Sequence, residues 1–492
     1  MSEASEPTTK AEQQDQIVST SHSLSIGGKT LKYTATTGIL ILKKETLGKG
    51  EKEGQFEGHQ AKARVFFTAY TKDDESDPSK RPITFAFNGG PGSSSVWLHL
   101  GCLGPRRVMM NDTELVAPPY KLTNNEYSLL DESDIVFIDP VGTGFSRPQE
   151  GEKASQFHTL AQDIESVGEF IRLYCSRHQR WLSPKFLAGE SYGTTRAAGL
   201  VGHLQEKHGM YLNGIMLISV VLDFTTLLFA HNNDLPYILY IPSYAATAHY
   251  HKKLPKRLQD KPLADVLKEV EAFTFDDYAA AVLKGSSLDK KEQKRLARKL
   301  SDYTGLSQDF IERCNLRIEL MRFCKELLRE ERTTVGRLDS RFKGKDRDSA
   351  GEHFEYDPSY SAIMGPYSAT INDYVKSTLE FSYDLPYEIL SMEVNRNWKW
   401  ENDNKHVNVA DTLSRAMNMN PHLKVHVANG YYDLATPHFA TEHTLNHLGI
   451  DEETAKNISS SYYEAGHMMY LHEASLKNLK ENLAHFIKGS LG

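Results

Sequence analysis

The chain has 492 residues, and 57 Lys and Arg against 65 Asp and Glu leave a formal net charge of −8. Hydrophobic residues make up 39% and charged residues 25%, so a chain of this length can bury a large core, while no uncharged apolar run approaches the length of a membrane span. These totals exclude an integral membrane protein and a fully disordered chain, and they show no overall basic footprint for nucleic acid.

The opening MSEASEPTTKAEQQDQ is polar and acidic where a signal peptide would be basic and then apolar. It predicts a disordered tail over residues 1–20 and a cytoplasmic protein. Cys102, Cys175, Cys314 and Cys324 are too sparse for a disulfide framework and are read as buried thiols.

Residues 24–42 and 62–71 alternate in the manner of antiparallel hairpin strands. From residue 82 the texture changes to short apolar runs, each ending in a turn-rich segment: PITFAFNGG (82–90), SDIVFIDPVGTG (133–144), PKFLAGES (184–191) and NGIMLISVV (213–221). Helix-length stretches such as 157–175 separate them, which predicts an α/β fold with a central, mostly parallel sheet and helices on both faces. In such a sheet ligands collect at the carboxyl ends of the strands, where the glycine-rich segments fall.

The segment 249–390 reads as a mainly helical insertion between two parts of the core, 21–248 and 391–492. Leu316, Leu320, Phe323, Leu327 and Leu328 recur there at helical spacing, so the accompanying charges form a solvated face. The aromatic-rich stretches 220–230 and 235–248 have two readings, lining of the site beneath the insertion or core packing. The His249 and His251 pair lacks a third ligand of matching spacing and is read as surface rather than metal. The strand-then-loop texture returns at HLKVHVANGYYD (422–433) and ISSSYYEAGHMMY (458–470), and a last helix carries Leu476, Leu479, Leu483, Phe486 and Ile487 on one stripe.

Gly189-Glu190-Ser191-Tyr192-Gly193 is a G-x-S-x-G after an apolar strand and before a helix. A serine on such a sharp turn needs small neighbours, and its hydroxyl is held out at the sheet edge. A serine hydroxyl also needs a base, and the base needs an acid to orient it. Asp433 and His467 follow Ser191 in that order, each just past a strand. The oxyanion formed on attack needs two backbone N–H donors, for which Tyr192 and Gly90 of Asn88-Gly89-Gly90-Pro91-Gly92 are the candidates.

With these residues on view the chain resembles the serine carboxypeptidase family of α/β-hydrolases, through NGGPGSSS (88–95), LGP (103–105), PVGTGFS (140–146), GESYG (189–193), NGYYD (429–433) and GHMMY (466–470). The resemblance implies an α/β-hydrolase fold whose helical insertion is a lid. It also implies removal of single residues from peptide C-termini by a Ser191, Asp433 and His467 triad, with the Gly90 and Tyr192 amides as the oxyanion hole. Asn88 and Glu190 would bind the terminal carboxylate, Glu190 only when protonated, so binding is expected to favour acidic pH.

This chain departs from the family pattern at Ala86, where a tryptophan is usual, and at Cys102, where a second glutamic acid is usual. Ser93 stands at a position often held by cysteine. These departures leave open an esterase or acyltransferase using the same triad, and a non-catalytic peptide-binding relative is the reading outside enzymes. The expected partners are peptide or protein C-termini, with no nucleic acid, membrane, metal or cofactor. The insertion has two open roles, gating of the site and contacts in a homodimer.

Overall fold

The structure, a computed structural model, describes residues 14–48, 50–402 and 405–491. Its centre is a sheet whose main path uses β1 (Gln16–Ile26), β2 (Lys29–Leu47), β3 (Phe56–Lys72), β4 (Ile83–Phe87), β5 (Asp134–Ile138), β6 (Lys185–Ser191), β7 (Gly214–Val220), β8 (Lys424–Gly430) and β9 (Ile458–Tyr463). The spatial order is β1-β2-β3-β5-β4-β6-β7-β8-β9. β1, β2, β3 and β5 pair antiparallel, and every pairing from β5 through β9 is parallel.

β4, β5 and β7 are buried along their whole length, as parallel strands covered on both faces must be. Alternation sorts their side chains between two cores. Phe85 and Phe87 join Val167, Phe170, Leu200 and Leu413 on the face carrying the helices Leu160–Arg177, Tyr192–His208 and Ala410–Met419. Ala86 and Phe186 join Leu476, Leu479, Leu483 and Ile487 of the last helix, Glu473–Gly489, on the other. This is the α/β-hydrolase fold. No helix among the described residues is long and apolar enough to cross a membrane.

The expected tail is shorter than residues 1–20. β1 begins at Gln16 and runs in register from the Gln16–Ile39 pair to the Ile26–Lys29 pair across the Gly27-Gly28 turn. Asp15 extends the hold, its Oδ1 accepting the Ile41 N–H at 2.9 Å. A ladder at the sheet edge draws on backbone groups, so a polar Ser/Thr-rich segment serves as well as an apolar one. Residues 1–13 of the expected tail lie outside the described residues.

The helical region begins before residue 249, with helices Leu235–Leu239 and Ile241–Tyr250. Tyr240 and Tyr244 are buried in a separate core with Val266, Val270, Leu296, Leu300 and Phe323. Of the two aromatic stretches, it is therefore Val221, Phe224 and Leu227 that reach the cleft described below. The later part of 249–390 packs the other way: helix Pro358–Asp373 buries Ile363, Tyr367 and Ile371 in the core cluster that holds Ala86 and Trp97.

Candidate active site

Ser191 ends β6 and precedes the helix Tyr192–His208, with φ 61° and ψ −132°. Such a conformation in a non-glycine residue stores about 1–3 kcal/mol and persists only where the surroundings enforce it. Here they do: a Cβ on Gly189 would stand 2.2 Å from the Gly193 carbonyl oxygen, and one on Gly193 would stand 2.8 Å from that of Phe87. The turn closes only with glycine at both places.

Asp433 and His467 follow β8 and β9, the two strands beyond β7, and come together across that end of the sheet. His467 Nδ1 lies 2.7 Å from Asp433 Oδ2. Asp433 is fully buried, and it also accepts from Ala435 N at 2.7 Å, Thr436 N at 2.9 Å and the Thr436 hydroxyl at 2.8 Å. With its Nδ1–H given to Asp433, the imidazole keeps Nε2 free to accept a proton. The ring is fixed from its backbone too, because His467 N donates to Leu338 O at 2.7 Å and its carbonyl accepts from Ser219 at 2.6 Å.

Ser191 and His467 line one cleft of about 340 Å³. No hydrogen bond joins their side chains among the described residues, in keeping with catalytic contacts that tighten only around substrate. Burial opposes the imidazolium of His467, but the Asp433 charge and hydrogen bond outweigh it, helped by Glu190 and opposed by Arg337, so its pKa is raised.

Gly90 and Tyr192 line the same cleft. The Asn88–Gly90 loop presses on the elbow so closely that a Cβ on Gly89 would stand 2.4 Å from the Tyr192 nitrogen. A buried cation fixes this approach. Arg196 donates to the Asn88 carbonyl at 2.6 Å and to Asp163 at 2.8 Å, Asp163 accepts the Tyr192 hydroxyl at 3.0 Å, and the guanidinium lies 5.2 Å from the ring centres of both Phe87 and Tyr192. The sequence reading passed over Arg196 and Asp163; an arginine inside the elbow's helix was the available signal.

Asn88 and Glu190 also meet in the cleft. The Asn88 amide oxygen accepts the Leu98 N–H at 3.0 Å, which turns its NH₂ toward Glu190. Glu190 is 2% exposed, and its Oε2 accepts the Tyr470 hydroxyl at 2.7 Å. Burial raises its pKa and Asp433 adds to the rise; His467, Tyr470 and Asn88 oppose it, and the net result is about 7. A neutral carboxylic acid is thus available below neutrality to donate a hydrogen bond.

Cys102, in the place expected to hold a second glutamic acid, is a buried thiol whose pKa is pushed well up by burial and by the nearby Glu190. Tyr470 supplies Glu190 with the strong donor that a thiol does not. Ala86 is buried in the sheet, while a tryptophan from another position, Trp97, lines the cleft, donates to Ser93 at 2.9 Å and packs on Tyr367 with ring centres 4.9 Å apart. Neither Tyr470 nor Trp97 was singled out from sequence. The His249 and His251 imidazoles face the backbone carbonyls of Lys261 and Ser340 at 3.1 and 2.7 Å.

A serine on a strained elbow, a histidine hydrogen-bonded to a buried aspartate, and a glycine loop against the elbow nitrogen define the site of a serine α/β-hydrolase. A sequence model of the serine carboxypeptidase family matches residues 46–480, and the chain belongs to that family.

Serine carboxypeptidase-like 33 of Arabidopsis thaliana is 32% identical over 137 residues, 27% of this chain and 27% of that protein. The pheromone-processing carboxypeptidase KEX1 of Saccharomyces cerevisiae is 34% identical over 134 residues, 26% of this chain and 17% of that protein. The aligned stretches therefore span about a quarter or less of these relatives. The crystal structure of a prohormone-processing carboxypeptidase, a form of Kex1 from Saccharomyces cerevisiae, superposes with a TM-score of 0.56 at 16% identity, covering 92% of this chain and 91% of that one. At that identity it supports the fold.

Proposed function

We propose that this protein is a serine carboxypeptidase that hydrolyses the last peptide bond of a peptide or protein. The observation that carries the reading is the Asn88–Glu190 pair, a buried acid with a pKa near 7 held by an amide, in the same cleft as Ser191 and His467. A terminal carboxylate placed there accepts hydrogen bonds from the Asn88 amide and the protonated Glu190.

Ser191 Oγ then attacks the scissile carbonyl carbon as His467 Nε2 takes its proton. The Gly90 and Tyr192 N–H groups receive the oxyanion. Asp433 stabilises the imidazolium, which returns its proton to the leaving amine. Water deprotonated by the same histidine attacks the acyl-enzyme and releases the shortened peptide, restoring Ser191. No metal or cofactor enters this sequence.

Ala86 and Cys102 favour a second reading, an esterase or acyltransferase in which an alcohol leaves or accepts the acyl group. Release of the C-terminal residue from an N-blocked dipeptide, compared with its C-terminal amide and a simple ester, separates the two. Selective cleavage of the free acid, lost in Ser191→Ala, supports the carboxypeptidase; turnover of the ester alone overturns it. We also assign the helical region the role of a lid, since Arg337, Leu338, Asp357 and Tyr360 line the cleft. A reducing, cytoplasmic setting fits the four cysteines, all free and buried.

A further inference from the structure

The cleft wall is largely apolar, with Trp97, Val221, Phe224, Leu227, Leu338 and Ile363 among its residues. Apart from His467, Arg337 is the one basic side chain on that wall among the described residues. Its backbone is held on both sides by the loops that carry the proposed triad. Arg337 O accepts from Leu434 N at 3.1 Å, one residue past Asp433, and the carbonyl of the next residue, Leu338, accepts from His467 N at 2.7 Å.

The guanidinium is exposed and makes no hydrogen bond or ion pair among the described residues. The buried and half-buried arginines around the core behave differently. Arg180, Arg196, Arg317 and Arg341 each pair with a carboxylate at 2.6–2.8 Å. Two acidic side chains share the cleft with Arg337, and neither pairs with its guanidinium. Asp357 accepts the N–H groups of Arg337, Leu338 and Ser359 at 3.2, 3.3 and 3.0 Å and the Ser359 hydroxyl at 2.5 Å. Glu190 is buried under Tyr470.

A planar fork of N–H donors left open on an apolar wall, on a backbone held by the loops of Asp433 and His467, suits a carboxylate that the substrate brings. We propose that Arg337 sets substrate choice by pairing with an acidic side chain, Asp or Glu, on one of the two residues flanking the scissile bond. This rests on the carboxypeptidase reading and adds the substrate class to it.

The test uses N-blocked dipeptides with a free C-terminus carrying Glu, Gln or Lys at each of the two positions in turn. They are assayed with the wild-type protein, Arg337→Gln and Arg337→Glu, and competent sites are counted by fluorophosphonate titration of Ser191 so that kcat/KM is compared per site. At one position the wild type is expected to favour Glu over Gln by roughly tenfold or more, the size of a charge-assisted hydrogen bond. Arg337→Gln loses that difference, and Arg337→Glu turns the preference toward Lys.

Equal rates on Glu and Gln peptides at both positions, or a Glu preference that survives Arg337→Glu, overturn the assignment of Arg337. If every peptide is inert and simple esters are turned over, the carboxypeptidase reading fails instead. The same Glu, Gln and Lys series, made as esters, then judges Arg337 independently.

Discussion

The site is built around two buried carboxyl groups, Asp433 behind the cleft and Glu190 in its wall, whose surroundings differ. At the acid–base end Asp433 accepts from two backbone amides, a threonine hydroxyl and the His467 ring, a full set of donors for an anion. At the carboxylate end Glu190 has a tyrosine hydroxyl and an asparagine amide, too little to offset burial, and its pKa rises to about 7. The difference teaches that two carboxyl groups buried to the same degree are given different tasks by the donors that their surroundings aim at them. Glu190, when protonated, can receive a substrate carboxylate, and Asp433 orients the His467 ring by accepting from its Nδ1.

The largest effect is expected at the acid–base end. Ser191→Ala should lower kcat by about 10⁶ and Asp433→Asn by about 10⁴, judging from what such groups contribute in serine hydrolases. Steady-state kinetics on a blocked dipeptide check both, and a loss below tenfold in Asp433→Asn would break the assigned contrast.

Next is the buried cation that holds the Asn88 loop against the elbow. Arg196→Met leaves the Asp163 carboxylate without its ion-pair partner and is expected to destabilise the fold by about 3–5 kcal/mol, read by urea denaturation. Asp163→Asn with Arg196→Met should recover part of that loss, since the uncompensated charge goes with it.

The pH dependence separates Glu190 from His467. Glu190 donates while protonated, so KM for a free-acid peptide should climb as pH rises through about 7, up to tenfold per unit above it, where the anion repels the terminal carboxylate. Glu190→Gln, which donates at every pH, should flatten that climb, and the C-terminal amide substrate should not show it. The kcat profile rises with pH as well, and so opposes the KM climb in kcat/KM: His467 acts as a base only when neutral, and its raised pKa makes kcat fall as the solution is acidified. The two groups influence each other, so the inflections belong to the pair.

The smallest change sharpens the comparison most. Tyr470→Phe removes one of the two donors to Glu190 and should move the KM inflection to higher pH at a cost of about 1 kcal/mol in stability. A downward move would show that Tyr470 does not stabilise the anion.

Much of this was legible from the chain because strand-end chemistry is local. A buried strand followed by a glycine turn and a reactive side chain marks Ser191, Asp433 and His467 in order, and the glycines of 88–92 mark the loop beside the elbow. What the sequence could not disclose was lateral. Tyr470 and Trp97 are ordinary aromatics in apolar runs, and only folding sets one on Glu190 and the other on the cleft wall. Arg196 drew no reading from sequence, and its role comes from the helix Leu160–Arg177, which brings Asp163 against it. The boundary errors have two origins: β1 pairs with the adjacent β2 through backbone groups that its polar side chains do not advertise, and the separate core around Tyr240 and Tyr244 depends on partners distant in sequence.

By itself, then, the sequence determined the α/β architecture, the family and the candidate reacting groups, because periodicity, turn residues and residue chemistry act over a few positions. Only the tertiary structure decided which donors each buried carboxyl meets, what stands beside Glu190 in place of the missing glutamic acid at Cys102, and which arginine of the cleft wall is left open. Those properties depend on burial and on donors brought together from separate strands and helices, and no stretch of the chain contains them alone.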